Sequence, residues 1–374
     1  MIRNLIQQVK EEFIKTFKKE PICVFSPGRI NIIGEHTDYN DGFVFPAAVD
    51  KGIAVAIQKS NSGNSTAIAL DKDETVVFEL DALKPSKEGR WENYVFGVVA
   101  EIQNRNKIIG DFNIIFKGNI PGGAGMSSSA ALENSVVFGL NKLFDLDLTK
   151  HEMILISQKA EHNYVGVNCG IMDQYASMFG MKDNALHLDC RTIQSKPYKI
   201  DFKDHQFILI NTNVKHTLSN SAYNDRRSAC ENISALLGVK ALRDATEIDL
   251  EKIIEKVTPS NYRKALYVIQ ENERTLKAAK AIEDNDLERL GKLIYQSHAG
   301  LSDQYKVSCD ELDFLVAQAK KNKHVLGARM MGGGFGGCTI NLIARTEVNG
   351  FSKTVSKAYK KKYGKECSIY FIEL

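Results

Sequence analysis

With 374 residues, 43% of them hydrophobic and 25% charged, the chain has the make-up of an ordinary folded protein. It is long enough for more than one core, so two domains are expected. A net charge of +3 over that length is too weak to point to nucleic acid or a membrane surface. Seven scattered cysteines without a Cys-x-x-Cys pair argue against a disulfide framework and a zinc site, and fit a reducing cytoplasm.

Ile2, Leu5, Ile6, Val9, Phe13 and Phe17 recur at helical spacing among polar residues. They predict an amphipathic helix packed on the domain rather than a signal peptide. The apolar run at 22–25 reads as a strand that ends in Pro27-Gly28. Residues 44–57, 66–70 and 75–80 are rich in β-branched side chains and read as strands. A helix is expected over 93–103, a strand over 111–117 and a long apolar helix over 127–144. Thr149 and Glu152 form a capping box that opens a helix reaching about residue 164. A shorter helix over 172–179 and a strand over 185–189 come next.

The polar stretch 191–199, with Pro197, is the expected boundary, which divides the chain into 1–195 and 196–374. Beyond it, a strand over 206–211 leads into helices over 221–237, 262–282 and 287–302, and one capped by Ser308 with Glu311. Strands over 339–344 and 368–372 flank a basic helix, and Lys357, Lys360, Lys361 and Lys362 read as its solvated face. No apolar run reaches membrane-spanning length. The whole reads as α+β.

Four segments carry chemistry. Residues 26–40 pack Arg29, Glu35, His36 and Asp38 among turn formers, a set suited to a small polyhydroxylated ligand. Residues 121–131 place Gly122, Gly123, Ala124, Gly125 and Met126 ahead of Ser127, Ser128 and Ser129. Glycines there let the backbone approach a ligand, and the N–H groups that open the next helix suit phosphate. The Lys of a Walker loop is absent, and a glycine turn with serine caps explains the segment as well.

Residues 327–338 formally match a dinucleotide fingerprint at Gly332, Gly334 and Gly337. Residues 339–343 read as a strand instead of the helix that fingerprint requires, so a glycine-rich loop over a site is the better reading. In 161–174, Glu161 alone would be a solvated helix residue, and Asp173 alone a helix-start carboxylate.

Together these segments resemble the GHMP family of small-molecule kinases, and residues 27–42 resemble the signature of its galactokinase branch nearly throughout. Residues 121–130 resemble the family's phosphate loop, with Met126 where Leu is usual, and 327–338 its third motif. The resemblance extends to 219–227 and to Ser297-His298. It implies an N-terminal domain of the ribosomal-protein-S5-like type and a ferredoxin-like C-terminal domain, with the active site between them.

It further implies a cytoplasmic, monomeric enzyme that uses ATP and Mg²⁺ to phosphorylate galactose at its C1 hydroxyl, in the Leloir pathway of galactose catabolism. By similarity, Glu35, His36, Asp38, Asp173 and Tyr223 bind galactose, and the 122–129 loop cradles ATP. Ser129 and Glu161 hold Mg²⁺, whose preference for hard oxygen donors they meet. Asp173 is the expected general base, and Arg29 stabilises charge on the transferred group. An N-acetylgalactosamine kinase, another sugar-1-kinase or a sugar sensor without turnover are the alternatives. A nicotinamide oxidoreductase rests on the weak glycine match alone.

Overall fold

The computed structural model describes residues 2–86, 90–215 and 219–374. The strands are β1 (Ile22–Asn31), β2 (Phe43–Val44), β3 (Pro46–Lys59), β4 (Ser65–Ala69), β5 (Glu74–Phe78), β6 (Phe112–Gly118), β7 (Asn184–Asp189), β8 (Gln194–Lys199), β9 (His205–Lys215), β10 (Val325–Met331), β11 (Gly336–Ala344) and β12 (Ser368–Phe371). The helices are α1 (Ile2–Phe17), α2 (Glu92–Gln103), α3 (Ser128–Phe144), α4 (Lys150–Ala160), α5 (Met172–Phe179), α6 (Ser219–Leu237), α7 (Glu247–Glu251), α8 (Pro259–Glu283), α9 (Leu287–Ala299), α10 (Asp310–Lys320) and α11 (Val348–Tyr363). They form two compact units, each discontinuous in sequence, whereas the expected boundary was one cut.

The first unit comprises Met1–Arg29, Ala48–Gly122 and Ser127–Gly180. Its frame is a five-stranded sheet in the order β1-β3-β6-β4-β5. Successive side chains of a strand face opposite ways, and both faces are apolar here. Ala54, Ala56 and Ile115 meet Leu5, Val9 and Phe13 of α1. Val55, Ile57, Ile114 and Phe116 join Val95, Val99, Val136, Leu140 and Ile156 of α2, α3 and α4. The expected amphipathic helix α1 therefore covers one face, and fully burying Val9 and Phe13 stabilises by about 1.5–3 kcal/mol each.

Two details differ from the sequence reading. Strand β1 does not stop at Pro27-Gly28 but runs on to Asn31. It is the last strand of its sheet, so one side lacks a ladder and a missing N–H is tolerated. Helix α4 opens on the expected Thr149–Glu152 capping box, then widens into a π-helical turn over Glu161–Val165.

The second unit comprises Ile30–Ala47, Gly123–Met126 and Met181–Leu374. An antiparallel sheet in the order β10-β11-β9-β12 is covered by α10 and α11, through Leu315, Val316, Phe351 and Val355 against Ile208, Ile210 and Ile343. A second cluster joins Cys230 and Ile233 of α6, Tyr267 and Val268 of α8, Leu301, Tyr305 and Met330.

The polar stretch expected as a boundary contains β8, which pairs antiparallel with β7 and sets Pro197 opposite Leu186. This too is an edge strand of its sheet, β2-β7-β8. Of the glycine-rich segment 327–338, expected as a loop, the residues up to Met331 belong to β10 and those from Gly336 to β11, so only the turn 332–335 is loop. Cys309, not Ser308, is the N-cap residue of α10, because the Ser308 hydroxyl is engaged with Asp313 Oδ1 at 2.5 Å. Among the described residues, no helix is long and apolar enough to cross a membrane.

Candidate functional site

In the first unit, β1 delivers Arg29 and the first turn of α5 delivers Asp173. Helix α5 is pinned by Ser177 Oγ, which donates to the Pro27 carbonyl at 2.7 Å, and by Asn134 Nδ2, which donates to the Gln174 carbonyl at 2.9 Å. Arg29 Nε donates to Asp173 Oδ1 and Nη2 to Oδ2, both at 2.8 Å. Ser127 Oγ adds a third bond, to Oδ2 at 2.5 Å. Asp173 is thus engaged with a guanidinium and a hydroxyl, not with the backbone donors of its own helix. The Arg29 side chain is 5% exposed and that of Asp173 26%, so the carboxylate is the accessible partner.

Glu161 is buried at the start of the π-helical turn, not solvated. Its carboxyl is pushed up to about 7 by burial and then by the charge of Asp173, against hydrogen bonds from Ser129, Cys169 and Gln174 that pull it down. Ser129, whose side chain helps hold the Glu161 pKa down, lies beside it, so the two expected metal ligands are neighbours. Gln174 Nε2 bridges Glu161 Oε2 at 3.0 Å and Glu133 Oε2 at 3.3 Å.

Glu133, wholly buried on α3, was not singled out in the sequence. Burial, then the Glu161 charge, pushes its carboxyl well up, and its Oε1 has no hydrogen-bond partner. A lone Glu after Ala130-Ala131-Leu132 in an apolar helix was the available signal. Among the described residues, no group of three or more His, Cys, Asp or Glu could hold a metal ion. Ser129 and Glu161 offer two hard oxygens, which suits Mg²⁺, since it keeps several waters and takes substrate phosphates as its other ligands.

In the second unit lies the rest of the signature. Gly34 has φ +91°, and a Cβ there would stand 2.5 Å from the Phe43 carbonyl, so only glycine fits. Its N–H donates to Glu271 Oε1 at 3.0 Å, and Tyr267 donates to the Glu35 carbonyl at 2.8 Å. The Glu35 carboxylate accepts from Arg329 Nη1 at 2.6 Å, in a pair with side chains 3% and 0% exposed. Arg329 also donates to the carbonyls of Ile32 at 2.9 Å, Met330 at 2.6 Å, and Asn31. Sequence reasoning missed Arg329; an Arg inside the run Ala328 to Met331 was its signal.

His36 takes a left-handed φ of +63° and is buried. Its Nδ1 bonds the Tyr39 hydroxyl at 2.8 Å, which bonds the Tyr305 hydroxyl at 2.8 Å. Burial, then Arg226, lowers its pKa to about 3, so the ring is neutral. Tyr223 packs with ring centroids 5.4 Å from His36 and 5.0 Å from Tyr39. Asp38 opens a 3₁₀ turn and stays partly exposed.

The glycine segments meet within this unit. Gly125, at φ +67°, backs onto Met331, whose carbonyl would lie 3.2 Å from a Cβ, and Asn211 Nδ2 donates to the Gly123 carbonyl at 3.4 Å. Gly332 and Gly334 turn β10 into β11, strand to strand, which removes the context a dinucleotide fingerprint needs.

The chain matches three family models: the galactokinase galactose-binding signature over residues 11–59, the GHMP kinases N-terminal domain over 93–181 and the GHMP kinases C-terminal domain over 278–361. A galactokinase of Clostridium acetobutylicum is 39% identical, with 99% of this chain and 98% of that protein covered. One from Thermotoga petrophila is 40% identical over 94% of this chain and 97% of its own length. The crystal structure of Lactococcus lactis galactokinase complexed with galactose superposes with a TM-score of 0.93 at 35% identity, covering 98% and 97% of the two chains. The mevalonate kinase of Methanococcus jannaschii, at a TM-score of 0.67 and 16% identity over 96% of this chain and 99% of its own, shares the fold. Identity near 40% along almost its whole length, together with all three family models, shows that the chain belongs to the galactokinase family of GHMP kinases.

Proposed function

We infer that the protein is a galactokinase, transferring the γ-phosphoryl group of ATP to the C1 hydroxyl of galactose to give galactose 1-phosphate and ADP. The observation that carries this reading is the Arg29–Asp173 pair at 2.8 Å, with a buried cation and an accessible carboxylate. Phosphoryl transfer asks a protein mainly for positioning and charge stabilisation. The anomeric hydroxyl is more acidic than an ordinary alcohol, so Asp173 suffices to accept its proton as the O–P bond forms. Arg29 stabilises the charge on the group in flight.

Glu35, His36, Asp38 and Tyr223 bind the sugar. Asp38 accepts from its hydroxyls, and the buried neutral His36 shapes the wall on which Tyr223 rests. The backbone N–H groups of 122–129 take the ATP phosphates. Ser129 and Glu161 hold Mg²⁺, which when bound offsets the charge of those phosphates. Support comes from the interaction of Ser129 with the Glu161 carboxyl, which places two hard oxygens side by side.

A coupled ADP-release assay with galactose, N-acetylgalactosamine, glucose and arabinose tests the substrate, with galactose expected to give the highest kcat/KM. Asp173→Ala should lose about 10²–10⁴ in kcat. Near-normal turnover in that variant would refute the base assignment, and preference for another sugar would refute the substrate.

A further inference from the structure

We propose that Ser127 is a positioning residue for the transfer step: its hydroxyl, with Arg29, fixes the Asp173 carboxylate in the orientation that takes the proton. The proposal rests on the reading of Asp173 as the proton acceptor. Ser127 is the N-cap residue of α3, where a serine ordinarily takes an extended backbone and accepts from the N–H two or three residues on. Here it does neither. Its backbone is left-handed, at φ +55° and ψ +58°, and its side chain makes no capping bond.

A left-handed backbone disfavours any residue with a Cβ and is free for glycine. Gly123 and Gly125, close by in sequence, meet the same demand with glycine, at φ +70° and +67°. Backbone energy alone would therefore select glycine at 127 as well. Ser127 meets that demand instead with a side chain that points away from the capping position and makes the 2.5 Å donation to Asp173 Oδ2.

That bond comes from α3, whereas the Arg29 fork comes from β1, so the carboxylate is gripped from two separate elements. A single fork still lets the carboxylate rock about the line joining it to the guanidinium, and the second direction removes that freedom. Misplacement of a reacting group by even about 1 Å is costly in rate.

The test compares Ser127→Gly and Ser127→Ala. Both remove the hydroxyl, but only glycine relieves the backbone. Both should lower kcat by about 10- to 100-fold, as expected for a lost hydrogen bond to a charged group that positions it. KM for galactose and ATP should stay within about twofold, and Ser127→Gly should melt no lower than the parent. A kcat within twofold of the parent in either variant would overturn the proposal. So would a loss confined to KM for ATP, or a loss in the alanine variant alone that tracks a fall in its melting temperature. Asp173→Asn is assayed alongside. If it turns over, the base assignment fails and this proposal with it; if it is inert beside a fully active Ser127→Gly, only this proposal fails.

Discussion

The Glu35–Arg329 pair makes the sharpest claim about stability. Both side chains are out of water and 2.6 Å apart, and the same guanidinium satisfies the carbonyls of Asn31, Ile32 and Met330. Glu35→Gln leaves a buried cation without its counter-charge, which costs about 3–5 kcal/mol. Arg329→Met strands the Glu35 carboxylate and removes three carbonyl partners at once, at about 1–3 kcal/mol for each carbonyl left dry. It should be the worse variant. The double variant has no stranded charge, so it should be less destabilised than the sum of the singles by at least about 2 kcal/mol.

For a unit of roughly 200 residues, about 2–4 °C of melting temperature corresponds to each kcal/mol. Glu35→Gln should therefore melt about 6–20 °C below the parent. Thermal unfolding of the four proteins, followed by fluorescence, completes the cycle. Additivity to within about 0.5 kcal/mol, or a Glu35→Gln cost below about 1 kcal/mol, would show that charge pairing does not hold the signature segment.

Arg29→Ala should lower kcat by about 10²–10³-fold and change the galactose KM much less; the reverse split would make it a binding residue. Glu161→Gln should raise the Mg²⁺ concentration needed for half-maximal rate, and an unchanged metal titration would remove Glu161 from the metal site. Its carboxyl keeps a proton to about pH 7 when folded, against an ordinary 4.5, so the native state binds the extra proton between those values. Metal-free protein should lose stability as pH rises through that window, and Glu161→Gln should flatten the loss.

His36 has the opposite sign. Its folded pKa of about 3 lies below the ordinary 6.5, so the unfolded chain takes the proton first. Stability should fall as pH drops from 6.5 towards 3, less steeply in His36→Gln, as denaturation melts across that range would report. Gly34→Ala forces a Cβ to within 2.5 Å of the Phe43 carbonyl at φ +91°. It should raise the galactose KM while leaving the ATP KM alone, and equal effects on both would place the damage elsewhere.

What the sequence revealed depended on how local the cause was. The capping box at Thr149, the apolar face of α1 and the periodic run of α2 are decided by neighbours a turn apart, and they appear as expected. Strand β10 was hidden because Gly327, Arg329 and the glycines that follow the strand look like loop until β11 pairs with it. Strand β1 continued past Pro27 because its position at a sheet edge, which no local pattern encodes, removed the penalty. In the candidate site, Arg29 stood out in its own segment, whereas Asp173, Glu161 and Ser129 gained their expected roles only through the family resemblance. Their neighbours were not legible: Ser127, bonded to Asp173, read as part of a phosphate loop, and Glu133, which shares the Gln174 amide with Glu161, as the interior of an apolar helix.

The signature segment shows why those partners stay hidden. Between β1 and β2 it has little regular structure, so its backbone groups depend on scattered partners. Some are local: Thr37 Oγ1 donates to the Gly34 carbonyl, Asn40 Nδ2 to the His36 carbonyl, and Ile32 N–H to the Phe45 carbonyl. Others lie far away in sequence: Gly34 N–H on Glu271, Phe43 N–H on Asn272 at 2.9 Å, the Glu35 carbonyl on Tyr267, and the carbonyls of Asn31 and Ile32 on Arg329. Glu271 is itself oriented by Ser297 Oγ and Arg274 Nε, both at 2.6 Å. On the sugar-binding roles proposed for Glu35, His36 and Asp38, none of these residues needs to touch the sugar, because each fixes a group of the segment that carries them. The motif is short in sequence, but the structure that holds it draws on α8, α9 and β10. Those helices and that strand therefore serve the segment's hydrogen-bond satisfaction, and a substitution at Glu271 or Arg329 should act on the proposed recognition through the loop it no longer holds.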